Sequence, residues 1–340
     1  MSAHSEFYFP SCDGKTQIHA EQWLPEGEIK AVLQISHGVS EYVGRYAPFA
    51  EYLTEHGFAV IGGDHLGHGK SVAEGAPRIF FGESDGWNHV VDDVARLRAL
   101  GKEKFPNVPY FIMGHSMGSF ITRTYLIRYP GDVDGAVIMG TGQQGALLTG
   151  AGRIVAKHIG RKQGFGTTSK TVNNLAFGSY NKPFEPKRTD FDWLSANPEN
   201  VDRYIANPLC GEDATVGLFY DMLGGIRFVG KQENVNKIDV TKPVLFISGA
   251  DDPVGGRKGA TAAYNTFKKA GVKDLTLKLY DGLRHEILNE RENAEIYKYI
   301  LNWLEERIKR AVILRFRFAV WIFTICLNGL HFYSLFIFSP

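Results

Sequence analysis

The stretch Tyr110–Tyr129, YFIMGHSMGSFITRTYLIRY, constrains the chain more than any other. Tyr110 to Met113 are apolar and suit a buried strand. Gly114-His115-Ser116-Met117-Gly118 follows and fits G-x-S-x-G. Phe120, Ile121, Thr124 and Ile127 then recur at helical spacing until Pro130 stops the run. Strand, sharp turn and helix give the pentapeptide its meaning. The turn holds Ser116 in a strained backbone geometry, and glycine leaves room on either side of it. The hydroxyl projects above the sheet, and the helix N-terminus lies beneath it. Ser116 is therefore a candidate nucleophile. The plainer reading is a glycine-rich structural turn.

The rest of the chain supplies the frame. Glu6–Pro10 and Thr16–Trp23 read as strands joined by an Asp13-Gly14 hairpin turn. Ala31–Ser36, Phe58–Gly62, Gly135–Met139, Val244–Ser248 and Leu275–Tyr280 read as further strands. Helical patterns fall at 46–53, 87–97, Lys258–Ala270 and Asn293–Lys309. Strands alternating with helices predict an α/β fold with a mostly parallel central sheet covered on both faces. Functional loops then lie at the carboxyl ends of the strands. His37, Asp64, Ser116, Asp252 and His285 each follow a predicted strand.

Residues 143–239 break this rhythm. They contain helical pieces at Thr171–Phe177 and Thr215–Phe228, punctuated by Pro183, Pro186, Pro198 and Pro208. The expected organisation is a core of residues 1–142 and 240–310, a helical cap insertion at 143–239, and an apolar tail at 311–340.

A net charge of +1 gives no argument for a nucleic-acid partner. Cys12, Cys210 and Cys326 are odd in number and far apart, so they make neither a disulfide framework nor a zinc spacing. The N-terminus lacks a basic region followed by an apolar stretch, so no signal peptide is expected and the body reads as cytoplasmic.

A serine hydroxyl is a poor nucleophile at neutral pH and needs an adjacent base, usually a histidine oriented by a carboxylate. In this fold class the chain order is Ser, acid, His. His285 meets that order, while the other histidines precede the acid or fall in the tail. Asp251 and Asp252 are adjacent, and Gly-x-x-Asp leading into Pro253-Val254 favours Asp252. Backbone N–H groups of Met117 and Val39 are the expected oxyanion donors. His37 is expected to be a packed residue that shapes the oxyanion loop. Asp64, His65 and His68 show no third convergent ligand, so no metal is expected, and Asp64 is expected to tie its loop to neighbouring N–H groups.

HGVSEYVGRY at 37–46, GDHLGHGKS at 63–71, GHSMGS at 114–119, SGADDPVG at 248–255 and DGLRHEILNE at 281–290 together resemble one family. It is the α/β-hydrolases of the monoacylglycerol lipase and lysophospholipase group, of the serine aminopeptidase type. The resemblance covers about Phe7 to Arg310, and the stretch Asn173 to Tyr220 looks like its bacterial members. It implies Ser116, Asp252 and His285 as the triad, Val39 and Met117 as oxyanion donors, and no cofactor. It also implies an ester or lipid substrate with one acyl chain, such as a monoacylglycerol or lysophospholipid. Glu41 and Arg45 match an acidic and a basic residue that help hold the polar head in lipase relatives. The alternative is that they pair and brace their loop. Two other functions stay open: a peptidase releasing N-terminal residues, for which Glu41 is the candidate ammonium site, and a non-catalytic small-molecule receptor.

The chain continues past Arg310 with a nearly wholly apolar stretch from Phe318 to Phe338, preceded by Arg310, Arg315 and Arg317. It is long enough to cross a bilayer, and the three arginines would favour keeping the body on the cytoplasmic side. It reads either as a membrane anchor or as a tail outside the evolved fold.

Overall fold

The computed structural model describes residues 3–310. The apolar stretch 318–338 lies outside them. The chain divides into two compact units, one reaching to Tyr297 and one beginning at Lys298. In the second, the described residues 298–310 are helical throughout. Among the described residues no helix is long and apolar enough to cross a membrane.

The first unit is built on one eight-stranded sheet. Its strands are β1 (Ala3–Pro10), β2 (Gln17–Leu24), β3 (Ala31–Ser36), β4 (Phe58–Gly63), β5 (Tyr110–His115), β6 (Gly135–Met139), β7 (Val244–Gly249) and β8 (Leu275–Tyr280). Their spatial order is β1-β2-β4-β3-β5-β6-β7-β8. β1–β2 and β2–β4 pair antiparallel, and every other pair is parallel. This is the mostly parallel α/β-hydrolase sheet expected from the alternation of strands and helices.

The helices are α1 (Ala47–Glu55), α2 (Gly86–Lys104), α3 (Met117–Arg128), α4 (Ala146–Gln163), α5 (Lys170–Phe177), α6 (Pro198–Ala206), α7 (Val216–Gly230), α8 (Gln232–Val235) and α9 (Gly256–Ala270). Each of β3 to β7 is buried along its whole length, as expected for central strands covered on both faces. Tyr110 and Ile112 of β5 join an apolar cluster with Val90 and Val94 of α2, Phe120 and Ile121 of α3, and Phe219 and Ile226 of α7. Phe111 and Met113 alternate with them and point to the opposite face, where they are also buried.

The segment between β6 and β7 contributes helices and no strand to this sheet. The sequence pattern showed its α5 and α7. It did not show α4, which runs from Ala146 to Gln163 and exposes Leu147, Leu148 and Ile154. Gly150 and Gly152 fall among those residues and interrupt the helical pattern in sequence. Arg123 of α3 is fully buried beneath both ends of the segment. Its Nη1 donates to Gly142 O (2.9 Å), and its Nη2 donates to Gln143 Oε1 (2.7 Å) and Val229 O (3.3 Å). Burial pushes the guanidinium down to about 9.

Candidate active site

Strand register brings the polar residues to one edge. Ser36 pairs with Gly114 and His115 with Met139, so the loops after β3, β5 and β6 leave the sheet side by side. Gly249 pairs with Tyr280, which does the same for the loops carrying Asp252 and His285.

Ser116 caps α3 with φ 54° and ψ −121°, a left-handed region that an L-residue occupies only when its surroundings enforce it. Its N–H donates to Met139 O (3.1 Å), and its carbonyl accepts from Ser119 N–H (2.9 Å) and Ser119 Oγ (2.6 Å). The flanking glycines are required sterically. A Cβ at Gly114 would collide with the Gly118 carbonyl, and one at Gly118 with the Ser36 and His37 carbonyls. Gly118→Ala is expected to cost about 1–3 kcal/mol by overpacking. Chemical denaturation checks this, and an unchanged midpoint would show that the turn has slack.

His285 and Asp252 are both buried, at 2% and 4% exposure. His285 Nδ1 lies 3.0 Å from Asp252 Oδ2. A carboxylate only accepts, so Nδ1 carries the proton and Nε2 is left as the basic nitrogen. Asp252 is itself held by Val254 N–H on Oδ1 (2.8 Å) and Ser248 Oγ on Oδ2 (3.3 Å). The neighbouring Asp251 is exposed, its N–H bonded to Leu283 O (3.1 Å). Trp193 packs beside the His285 ring, with centroids 5.1 Å apart.

A cavity of about 450 Å³ is walled by Ser116, His285 and Val39, with Phe177, Phe191 and Trp193 as apolar lining. Asn173, Asn174 and Asn181 lie among the lining residues as well. Met117, next to Ser116, opens α3, and its N–H is among the first-turn donors that have no partner within the helix.

Glu41 and Arg45 lie beside this cavity in a buried network. Arg45 donates to Glu41 Oε2 (2.7 Å) and, in a fork, to Glu286 Oε1 and Oε2 (both 2.7 Å). Asn200 Nδ2 also donates to Glu286 (2.7 Å). Glu41 Oε1 accepts from Gly38 N–H (2.5 Å) and Tyr46 Oη (2.9 Å), with His115 Nδ1 at 3.3 Å. Burial raises the Glu41 pKa, but the His115 hydrogen bond and the charges of Arg45 and His115 outweigh it and hold the carboxyl well below the usual range. Burial likewise opposes ionisation of Glu286, and Arg45 overcomes it, holding that carboxyl low. His115 Nε2 donates to the His285 carbonyl (3.2 Å), which ties this network to the loop bearing His285.

His37 is buried between loops. Its Nδ1 donates to Gly38 O (2.7 Å) and its Nε2 accepts from His65 N–H (2.8 Å). Burial lowers its pKa, so the ring is a neutral packing element. Asp64 accepts from Val43 N–H (2.9 Å), Lys70 N–H (2.8 Å) and His19 Nδ1 (2.9 Å), tying three segments together. Among the described residues no group of three or more His, Cys, Asp or Glu is placed to hold a metal ion.

Sequence reasoning did not find Tyr46, His115, Asn200 or Glu286 as parts of the site. His115 sits inside the G-x-S-x-G motif, which was its only local signal.

The family model described as "Serine aminopeptidase, S33" matches residues 27–292. A monoacylglycerol lipase of Mycolicibacterium smegmatis is 28% identical over 307 residues, 89% of this chain and 98% of that protein. The monoglyceride lipase of Homo sapiens is 28% identical over 305 residues, 88% of this chain and 90% of that protein. Among solved structures, a thermostable carboxyl esterase from Bacillus coagulans in complex with glycerol superposes with a TM-score of 0.83 at 27% identity, covering 90% of this chain and 99% of that one. The match of the family model over most of the chain, on the sheet and strand-end residues described above, makes this protein a member of the serine aminopeptidase S33 family of α/β-hydrolases.

Proposed function

We propose that Ser116, His285 and Asp252 act as a catalytic triad that cleaves carboxylic esters carrying a single acyl chain. The chain is a carboxylic ester hydrolase, in keeping with the lipase and esterase relatives. The observation that carries the mechanism is the buried 3.0 Å contact between His285 Nδ1 and Asp252 Oδ2, beside a cavity walled by both His285 and Ser116. His285 Nε2 takes the Ser116 proton as Oγ attacks the ester carbonyl. The oxyanion that forms is stabilised by the N–H groups of Val39 and Met117. The tetrahedral intermediate expels the alcohol, which leaves with the proton from His285. Water, deprotonated by His285 Nε2, then attacks the acyl-enzyme and releases the acid.

The segment 143–239 acts as the cap over this site. Its Phe177, Phe191 and Trp193 supply apolar lining for an acyl chain, and the Asn174 side chain supplies a partner for a small polar head, whereas the Asn181 amide is engaged by Thr189 O and Trp193 N–H. Glu41 and Arg45 brace the loop after β3, because their charged atoms are engaged by Gly38, Tyr46, Glu286 and each other. That occupation leaves Glu41 poorly suited to capture a substrate ammonium, which favours an ester over a peptide substrate.

The test is the initial rate on p-nitrophenyl esters of graded acyl length, a monoacylglycerol, a lysophospholipid and an aminoacyl anilide, with Ser116→Ala as the blank. The expected result is Ser116-dependent turnover of esters, with a single-acyl lipid preferred. Turnover of the anilide alone would overturn the ester reading. Identical behaviour of the blank would overturn the triad.

A further inference from the structure

Among the described residues four non-glycine positions have positive φ, and two of them, Ser40 and Ser116, wall the cavity. The Ser116 case belongs to the sharp turn at the nucleophile. Ser40 has φ 53° and lies between Val39, whose N–H is the proposed oxyanion donor, and Glu41, whose carboxylate anchors Gly38 N–H. An L-residue with a Cβ is disfavoured in this region unless something holds it there.

What holds it comes from one stretch. Ser40 Oγ donates to Glu212 O (2.7 Å). Ser40 O accepts from Gly211 N–H (3.0 Å) and from Tyr204 Oη (3.0 Å). All three partners lie at 204–212, within the segment between β6 and β7. That stretch is fixed in turn. The Glu212 carboxylate receives Arg78 Nε (2.8 and 2.9 Å), Asn207 Nδ2 donates to Tyr42 Oη (2.9 Å), and the Tyr204 ring lies under the Arg45 guanidinium, 4.9 Å from its centroid.

Resting on the triad reading above, we propose that Ser40 is a positioning residue through which the cap sets the oxyanion loop. With residues 204–212 seated, three hydrogen bonds keep Ser40 left-handed and Val39 N–H aimed at the carbonyl oxygen. With them displaced, Ser40 relaxes to negative φ, the peptides before it swing, and the Val39 donor leaves its place. Cap seating and oxyanion binding then share one equilibrium, and whatever favours the seated cap favours the transition state. The effect belongs to kcat rather than KM, because the Val39 bond strengthens only as charge develops on the oxygen.

The experiment compares Ser40→Ala, Ser40→Gly and Tyr204→Phe with wild type on a short p-nitrophenyl ester and a monoacylglycerol, with thermal melting as the fold control. Ser40→Ala keeps the Cβ and loses the Glu212 bond. It is expected to lower kcat about tenfold with KM within about twofold. Ser40→Gly removes the conformational penalty and is expected to recover kcat to within about threefold of wild type. Tyr204→Phe keeps the ring over Arg45, removes one bond to Ser40 O, and is expected to lower kcat with KM unchanged. It carries the test by itself if Ser40→Ala does not fold. A purely structural role predicts lower melting temperatures without the glycine recovery. Wild-type kcat in Ser40→Ala and Tyr204→Phe overturns the proposal, and so does a Ser40→Gly as slow as Ser40→Ala. Failure of the triad reading is distinguishable, since wild type itself would then show no Ser116-dependent turnover.

Discussion

Ser116→Ala is expected to lower kcat about a millionfold, and Asp252→Asn about ten-thousandfold, while both variants remain folded. The two numbers differ because the two residues do different things. Without Ser116 Oγ no acyl-enzyme forms, and only oriented binding and the oxyanion donors remain. With asparagine at 252 the ring of His285 keeps its place, but the amide offers Nδ1 an N–H. The imidazole then protonates on Nε2 and cannot take the serine proton. The carboxylate is buried, and Val254 N–H and Ser248 Oγ fix its orientation towards His285. The effects are not additive: the double variant is expected to be no slower than Ser116→Ala alone. Steady-state rates on a short p-nitrophenyl ester, with circular dichroism for the fold, check all of this. Asp251→Asn is the internal control, expected near wild type because its side chain is exposed. If that variant loses activity and Asp252→Asn keeps it, the acid has been assigned to the wrong residue.

Arg45→Met is expected to destabilise the fold by about 3–5 kcal/mol at neutral pH, the range for breaking a buried ion pair by removing one partner. Two buried carboxylates, Glu41 and Glu286, lose their shared cation at once. The pH dependence identifies the cause. In the wild-type fold both carboxyls are held below their ordinary values. A group depressed in the folded state contributes stability above its unfolded pKa, near 4.3 for Glu as an approximate reference. That contribution is lost as pH falls through the folded value. In Arg45→Met Glu286 loses the partner that offset its burial and its folded value rises, while Glu41 keeps its His115 bond, so protonation of Glu286 on acidification relieves part of the penalty. The gap in melting temperature between variant and wild type is therefore expected to narrow from pH 7 towards about pH 4. A gap independent of pH would assign the loss to side-chain packing over Tyr204 instead.

The frame of this protein was legible in its sequence because its signals are local. β3, β6 and β8 have the bounds that the sequence pattern predicts, and the loop residues of interest follow the strands as the alternation demands. The Ser, Asp, His order and the turn at Gly249 pointed to the same three residues that lie along the strand ends. The brace of the site was legible only in its local half: Glu41 and Arg45 lie four residues apart and were open to pairing, but Glu286 was not foreseen. Arg45 and Glu286 are 241 residues apart, and neither residue type announces a partner at that distance. The strain at Ser40 was equally hidden, because Gly211, Glu212 and Tyr204 impose it through backbone and ring hydroxyl groups. α4 escaped because its glycines and exposed leucines blur the helical period.

The clamp at Arg123 bears on how a chain like this diversifies. β6 and β7 are paired neighbours, and the guanidinium beneath them gathers residues 142–143, where the intervening segment begins, and Val229 near its end. Gln143 Nε2 adds a further tie to Gly230 O (3.2 Å). The segment is thus a loop drawn together near its mouth by Arg123 from outside and by Gln143 from its own first residue. For a flexible loop with closed ends, doubling its length costs only about 0.6 kcal/mol. Lineages can then lengthen, shorten or rewrite what lies between the stitches while the sheet and its edge of reactive residues stay as they are. Under the cap role proposed above, the segment is separable from the reactive residues of the sheet, and one buried arginine marks the seam between them.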